Sequence, residues 1–160
     1  MKIETYILLE DKDICVPLVE QDEIKRFTDS KEDLIVEDLL LLDGTITFKH
    51  KNDSIADFEN LDSINTLWHY YTNVLFDFLD EGYGQVYYPD LPLEITLEKR
   101  SKKELILSLE DQILVCDIDI FLKEFYKAGT KFIELRNVIT DGKYDDDLKK
   151  SIKKLKKYID

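Results

Sequence analysis

The sequence predicts an α+β fold: an antiparallel sheet of about six to seven strands, with two long helices and a short C-terminal helix packed on it. Three observations lead there. Apolar residues alternate with a period of two in several short runs, and in two longer stretches they step by three and four. Turn residues join the short runs into hairpins, with no repeated strand–helix–strand unit, which favours antiparallel pairing under helices on one face. At 160 residues, 44% hydrophobic and 11% aromatic, with no internal repeat, the chain is read as one domain, 1–160, with a sizeable core.

Ile3, Thr5, Ile7 and Leu9 alternate with Glu4, Tyr6, Leu8 and Glu10, the pattern of a strand with one buried face. Asp11-Lys12-Asp13 turns the chain, and Ile14 to Val19 extends again. Pro17 has no N–H to donate to a neighbour, so this second strand belongs at a sheet edge or a bulge. Residues 20–33 hold Glu20, Asp22, Glu23, Asp29, Glu32 and Asp33 against Lys25, Arg26 and Lys31, an acidic loop or short helix. Asp43-Gly44 then separates the apolar run Leu34 to Leu42 from the alternating Thr45-Ile46-Thr47-Phe48-Lys49, so a hairpin over Leu39 to Phe48 is expected, turning at Asp43-Gly44.

From Leu61 the period changes. Leu61, Ile64, Trp68, Tyr71, Leu75 and Phe78 form one helical stripe, with Asp62, Thr66, His69, Asn73, Asp77 and Asp80 on the wet side. Asp62 or Ser63 can cap its start, and Gly82 can take the left-handed conformation that ends it. Residues Gly82 to Pro92 bend the chain into a hairpin, Leu93-Ile95-Leu97 against Leu105-Leu107-Leu109, turning through the basic Lys99 to Lys103. Ile113 to Cys116 adds a strand, and Asp117 or Asp119 caps a second helix striped by Ile118, Phe121, Phe125, Ala128, Phe132, Leu135 and Ile139. Gly129 costs about 1 kcal/mol against alanine inside a helix, which points to close approach of a neighbour. After Asp141-Gly142, Leu148, Ile152, Leu155 and Ile159 mark a last amphipathic helix, with Asp145, Asp146 and Asp147 first and six lysines following, as the helix dipole favours.

The formal charge of −13 repels phosphate and anionic lipid, so nucleic acid and membrane are not expected partners. Residues 1–62 carry 17 acids against 7 bases, concentrating the field in the first third. A solvated acidic surface is the common role of such charge, and a docking face for a basic protein is the functional one. The opening residues lack the pattern of a secretory signal, and no run reaches the roughly 18 apolar residues of a membrane span, so a cytoplasmic protein is expected.

Catalytic signatures are lacking. None of the five glycines opens a phosphate-binding loop, and Cys15 and Cys116 sit in apolar runs without metal-ligand spacing. His50 and His69 have no flanking triad motif, and Asp141 to Asp147 fails calcium-loop spacing. The expectation is therefore no catalytic residue, no metal, no cofactor and no enzyme activity. Tyr87 and Tyr88, with Tyr83, form an aromatic group that either packs on the rim of a core or contacts a partner.

The Trp-bearing helix from Leu67-Trp68 to Leu79, the break at Gly82 and Gly84, the entry Tyr88-Pro89-Asp90-Leu91-Pro92, the strand Leu93 to Glu98 and the late helix Phe121 to Phe132 with Ala128 together resemble small bacterial immunity proteins. Those are cytosolic partners of polymorphic toxins. The resemblance covers about residues 67–136 and implies a protein that binds and blocks a cognate toxin domain. It carries over no individual residue, because such families recognise very different toxins. Many nucleic-acid-attacking toxin domains are basic, and an acidic face can speed their encounter to roughly 10⁸–10⁹ M⁻¹s⁻¹ at low salt. Glu20, Asp22, Glu23, Glu32, Asp33, Glu37 and Asp38 are the expected steering acids, with Tyr87 and Tyr88 as aromatic anchors. The alternatives are a small-molecule enzyme, which needs a cleft with converging titratable groups, and a DNA-mimicking regulator, which needs acids spaced like phosphates.

Overall fold

The computed structural model describes residues 1–9, 14–18, 35–36, 39–40, 42–142 and 147–159. The chain runs through β1 (Lys2–Leu9), β2 (Ile14–Pro17), a small ribbon of β3 (Ile35–Val36) and β4 (Leu39–Leu40), β5 (Asp43–His50), β6 (Asp53–Ile55) and β7 (Asp62–Ser63) to helix α1 (Ile64–Glu81). Then come β8 (Tyr83–Tyr87), β9 (Glu94–Lys99), β10 (Glu104–Leu109), β11 (Gln112–Asp117), α2 (Ile118–Ile139), α3 (Asp147–Lys154) and a 3₁₀ turn, Leu155–Tyr158. Among the described residues all strand pairs are antiparallel, and the fold class is α+β.

The expected single sheet of about six to seven strands is instead two sheets, of five and four strands, beside the β3–β4 ribbon. One sheet has the order β2-β1-β5-β6, with β7 also on β5; the other is β11-β10-β9-β8. β6 and β11 lie side by side at the break, where the Ala56 N–H donates to Gln112 Oε1 at 2.9 Å. No ladder forms between them because β6 is three residues long and is followed at once by Ala56, whose φ of 57° turns the backbone away from pairing.

The hairpin expected at Asp43-Gly44 is also overturned. Both residues lie inside the continuous strand β5, with Gly44 paired to Ile7 on one side and Asp62 on the other. A Cβ at Gly44 would fall 2.1 Å from the Tyr6 carbonyl oxygen, so glycine here serves close backbone approach and not a turn. The tight connection is instead Lys51-Asn52, between the paired His50 and Asp53, with Lys51 at φ 56°.

Both sheets turn one apolar face toward the helices. Ile3, Ile7, Ile46 and Phe48 from the first, and Ile95, Leu97, Leu105, Leu107 and Leu114 from the second, join Trp68, Tyr71, Leu75, Phe121, Phe125 and Phe132 in one buried cluster. Trp68 stands edge-on to Phe125 at 5.2 Å and stacks on Phe132 at 5.9 Å, and its indole N–H donates to Thr5 Oγ1 at 3.2 Å. Gly129 admits this packing, for a Cβ there would sit 2.7 Å from Ile152 of α3 and 3.2 Å from the Trp68 ring. The helix boundaries follow their capping residues. Asp117 accepts from the Ile120 N–H at 3.1 Å, and Gly82 closes α1 at φ 80°. Asp62, expected on the wet face of α1 or as its cap, is buried in β7, where its carboxylate accepts from the N–H groups of Ser63 and Asp90. Pro17 does occupy an edge strand, as its missing N–H requires.

Candidate functional site

The two sheets differ on the face turned away from the helices. On the first, Thr45 and Thr47 are buried, and a single ring, Phe58, 53% exposed, sits edge-on over Tyr6 at 5.0 Å. On the second, large apolar side chains face outward: Tyr83 is 44% exposed, Tyr87 57% and Ile113 59%.

The strand registers arrange this second face in rows. Tyr83 pairs with Glu98, Glu98 with Ile106 and Ile106 with Val115; beside them, Gln85 pairs with Thr96, Thr96 with Ser108 and Ser108 with Ile113. Tyr87 stands opposite Glu94 at one end, and Glu104 opposite Asp117 at another. The strand positions of this face thus combine two tyrosines, two isoleucines and a valine with Glu94, Glu98, Glu104 and Asp117, and include no lysine or arginine. Glu110 adds a carboxylate at the β10–β11 turn, where Oε1 accepts from the Glu94 N–H at 2.7 Å. The Tyr83 hydroxyl donates to Gln85 Oε1, tying two of the three exposed side chains of β8 together. Alternation produces this composition: Leu105, Leu107 and Leu109 point inward, and Ile106 and Ser108 necessarily point out.

The tyrosine pair is split by the same rule. Tyr87 lies on the open face, whereas Tyr88 turns into the core, 3% exposed, with its hydroxyl 3.2 Å from that of Tyr71. Burial pushes the Tyr88 phenol up to about 12 and raises Tyr71 well above its ordinary value. The seven acids Glu20, Asp22, Glu23, Glu32, Asp33, Glu37 and Asp38 lie outside the described residues. Sequence reasoning did not single out Ile106, Ile113 and Val115. The signal that could have found them is the second apolar phase of two strands already read as alternating on the first.

The cavity, histidines and cysteines lie away from this face. A pocket of about 70 Å³ opens between β1 and α2, lined among others by Lys2, Glu4, Thr5, Glu124, Lys127 and Lys131, against roughly 300–1,000 Å³ for small-molecule sites. Neither histidine lines it. His50 is half-buried at the end of β5, and burial holds its imidazole below the ordinary value. His69 is half-buried on α1. Cys116 is buried and its thiol is pushed up to about 12, the behaviour of an inert core cysteine. Among the described residues, no three His, Cys, Asp or Glu side chains are grouped to hold a metal ion, and no helix is long and apolar enough to cross a membrane. Comparison with known proteins returns no matching family, no matching curated protein and no matching solved structure.

Proposed function

We propose that this chain is a protein-binding module that receives a basic protein domain on the outer face of β8–β11, and that the partner is a toxin domain which the chain blocks. The blocking role is the one implied by the resemblance to small bacterial immunity proteins. The observation supporting the reading is the open sheet face itself, where exposed Tyr83, Tyr87 and Ile113 stand among Glu94, Glu98 and Glu104. Apolar and aromatic side chains supply contact that salt does not screen, and tyrosine is among the residues that most often anchor interfaces. The carboxylates, with the chain's charge of −13, attract cationic side chains and raise the encounter rate.

The test starts from the genes beside this chain's, where a long secreted protein with a variable C-terminal domain is expected, and co-expresses that domain with this chain in one host. Growth arrest by that domain is expected to be relieved by the parent chain and not by a Glu98→Lys, Ile113→Lys double variant. The complex should weaken by about tenfold or more between low and high salt. Continued arrest with the parent chain, together with no complex on gel filtration, refutes the reading.

A further inference from the structure

We infer that the edge of β8 left unpaired among the described residues is a docking strand, to which an extended, basic segment of the partner adds by backbone hydrogen bonds. The inference rests on the protein-binding reading above and names its mode.

Backbone direction is set by two bonds beyond the strand ends: the Lys99 N–H donates to the Gly82 carbonyl at 2.9 Å, and the Tyr88 N–H to the Leu93 carbonyl at 2.8 Å. Gly82, Gly84, Val86 and Tyr88 therefore face β9, and the N–H and C=O groups of Tyr83, Gln85 and Tyr87 face the open edge. These groups make no hydrogen bond to any described residue. An edge of this kind is a template for another strand unless it is blunted by proline, lysine or a bulge. The opposite edges differ here. β2 carries Pro17, whose carbonyl-only backbone faces outward, because Leu18 and not Pro17 donates to Thr5 of β1. β8, Tyr83-Gly84-Gln85-Val86-Tyr87, has none of these devices.

The flanks specify the occupant. Above the edge, on the outer face, stand Tyr83 and Tyr87, with Glu98 and Glu94 one strand behind. Below it lies α1, so close that a Cβ on Gly84 would be 3.2 Å from Cβ of the exposed Asp77. An added strand would have carboxylates on both sides, which suits lysine or arginine, and the tyrosine rings can stack with arginine. A second copy of this chain, itself at −13, would bring like charge to the same place. Area points the same way. Four strands about 4.8 Å apart and about six residues long present on the order of 400 Å², half the ~800 Å² per partner of a standard interface. Strand addition at the rim extends that face without a break.

The experiment follows amide hydrogen exchange of the full chain by NMR, with and without the peptide Lys-Val-Lys-Val-Lys-Val-Lys-Val-Lys. Exchange at Tyr83, Gln85 and Tyr87 is expected to slow by roughly tenfold or more on binding, and peptide affinity to fall by about tenfold in Gln85→Pro, whose lost N–H faces away from β9. Binding that leaves those three amides unprotected in the parent overturns strand addition while leaving the protein-binding reading in place. Absence of peptide binding also overturns strand addition, and the protein-binding reading is then judged by the toxin co-expression alone. Protection that rises with protein concentration, without peptide, overturns the choice of partner in favour of a second copy.

Discussion

Replacing Gly84 with alanine tests how β8 is seated against α1. The new Cβ would lie 2.3 Å from the Val74 carbonyl oxygen, 3.1 Å from its carbon and 3.2 Å from Asp77 Cβ. Ordinary contact begins near 3.4 Å, so helix and strand must separate by about 1 Å. The obstacle is backbone, which cannot rotate aside. α1 carries Trp68, Tyr71, Leu75 and Phe78 into the core, so moving it loosens packing well beyond the new methyl. Overpacking of this kind costs about 1–3 kcal/mol, offset by about 0.4–1 kcal/mol from the stiffer unfolded chain, for a net loss of about 1.3 kcal/mol. Urea unfolding followed by the fluorescence of Trp68, the sole tryptophan, reads the change. With a slope of about 2 kcal/mol/M, the midpoint should fall by about 0.6 M. Gly142→Ala is the comparison: a Cβ there meets nothing within 4 Å, but φ of 69° imposes about 1 kcal/mol of strain. A Gly84→Ala midpoint within about 0.2 M of the parent would refute the proposed contact between α1 and the β8 backbone.

Alkali should destabilise the fold in a defined window. Cys116 is raised from 9.0 to about 12 and Tyr88 from 10.0 to about 12, so the unfolded chain loses these protons first. Their stabilisation is full below pH 9 and lost as pH rises toward 12, with about 1.4 kcal/mol gone by pH 10 from the thiol alone; Cys116→Val should flatten this early part of a Tm–pH curve. Thr5→Val removes the acceptor of the buried Trp68 N–H and should cost about 1–3 kcal/mol in the same urea assay. Asp117→Ala deletes the cap on α2 and should cost about 1 kcal/mol, visible as a lower thermal midpoint by circular dichroism. Ile113→Ser, on the open face, should leave stability within about 0.5 kcal/mol while weakening partner binding, measured by calorimetry.

What was legible in the sequence is what local periodicity controls. The stripe from Ile64 to Phe78 and the one from Phe121 to Ile139 correspond to the buried faces of α1 and α2, and the β9–β10 hairpin turns through its basic residues as expected. Gly129 meets the neighbour its cost implied. Asp43-Gly44 misled because a glycine has two uses: positive φ at a turn, or the absence of a side chain between close backbones. Only the distance to Tyr6 distinguishes them. The turn at Lys51 carried no such signal, since lysine is not a residue selected for positive φ. Division of the sheet depends on β6 meeting β11, more than fifty residues apart, and no local pattern encodes that encounter. For the candidate site, the sequence placed Tyr87 in view, but it joined Tyr87 to Tyr88 as neighbours when a strand sends consecutive residues to opposite sides.

The gap between the sheets also governs how force passes through the molecule. Hydrogen-bond ladders carry a pull rigidly from strand to strand, and at the seam an amide side chain, Gln112 reaching to Ala56, stands where a ladder would otherwise run. Between the sheets the load passes through side chains instead: α1 runs on from β7, which pairs with β5, and Trp68 of α1 bonds Thr5 of β1. What joins the N-terminal strands to the opposite rim is therefore the shared core and not a continuous ladder.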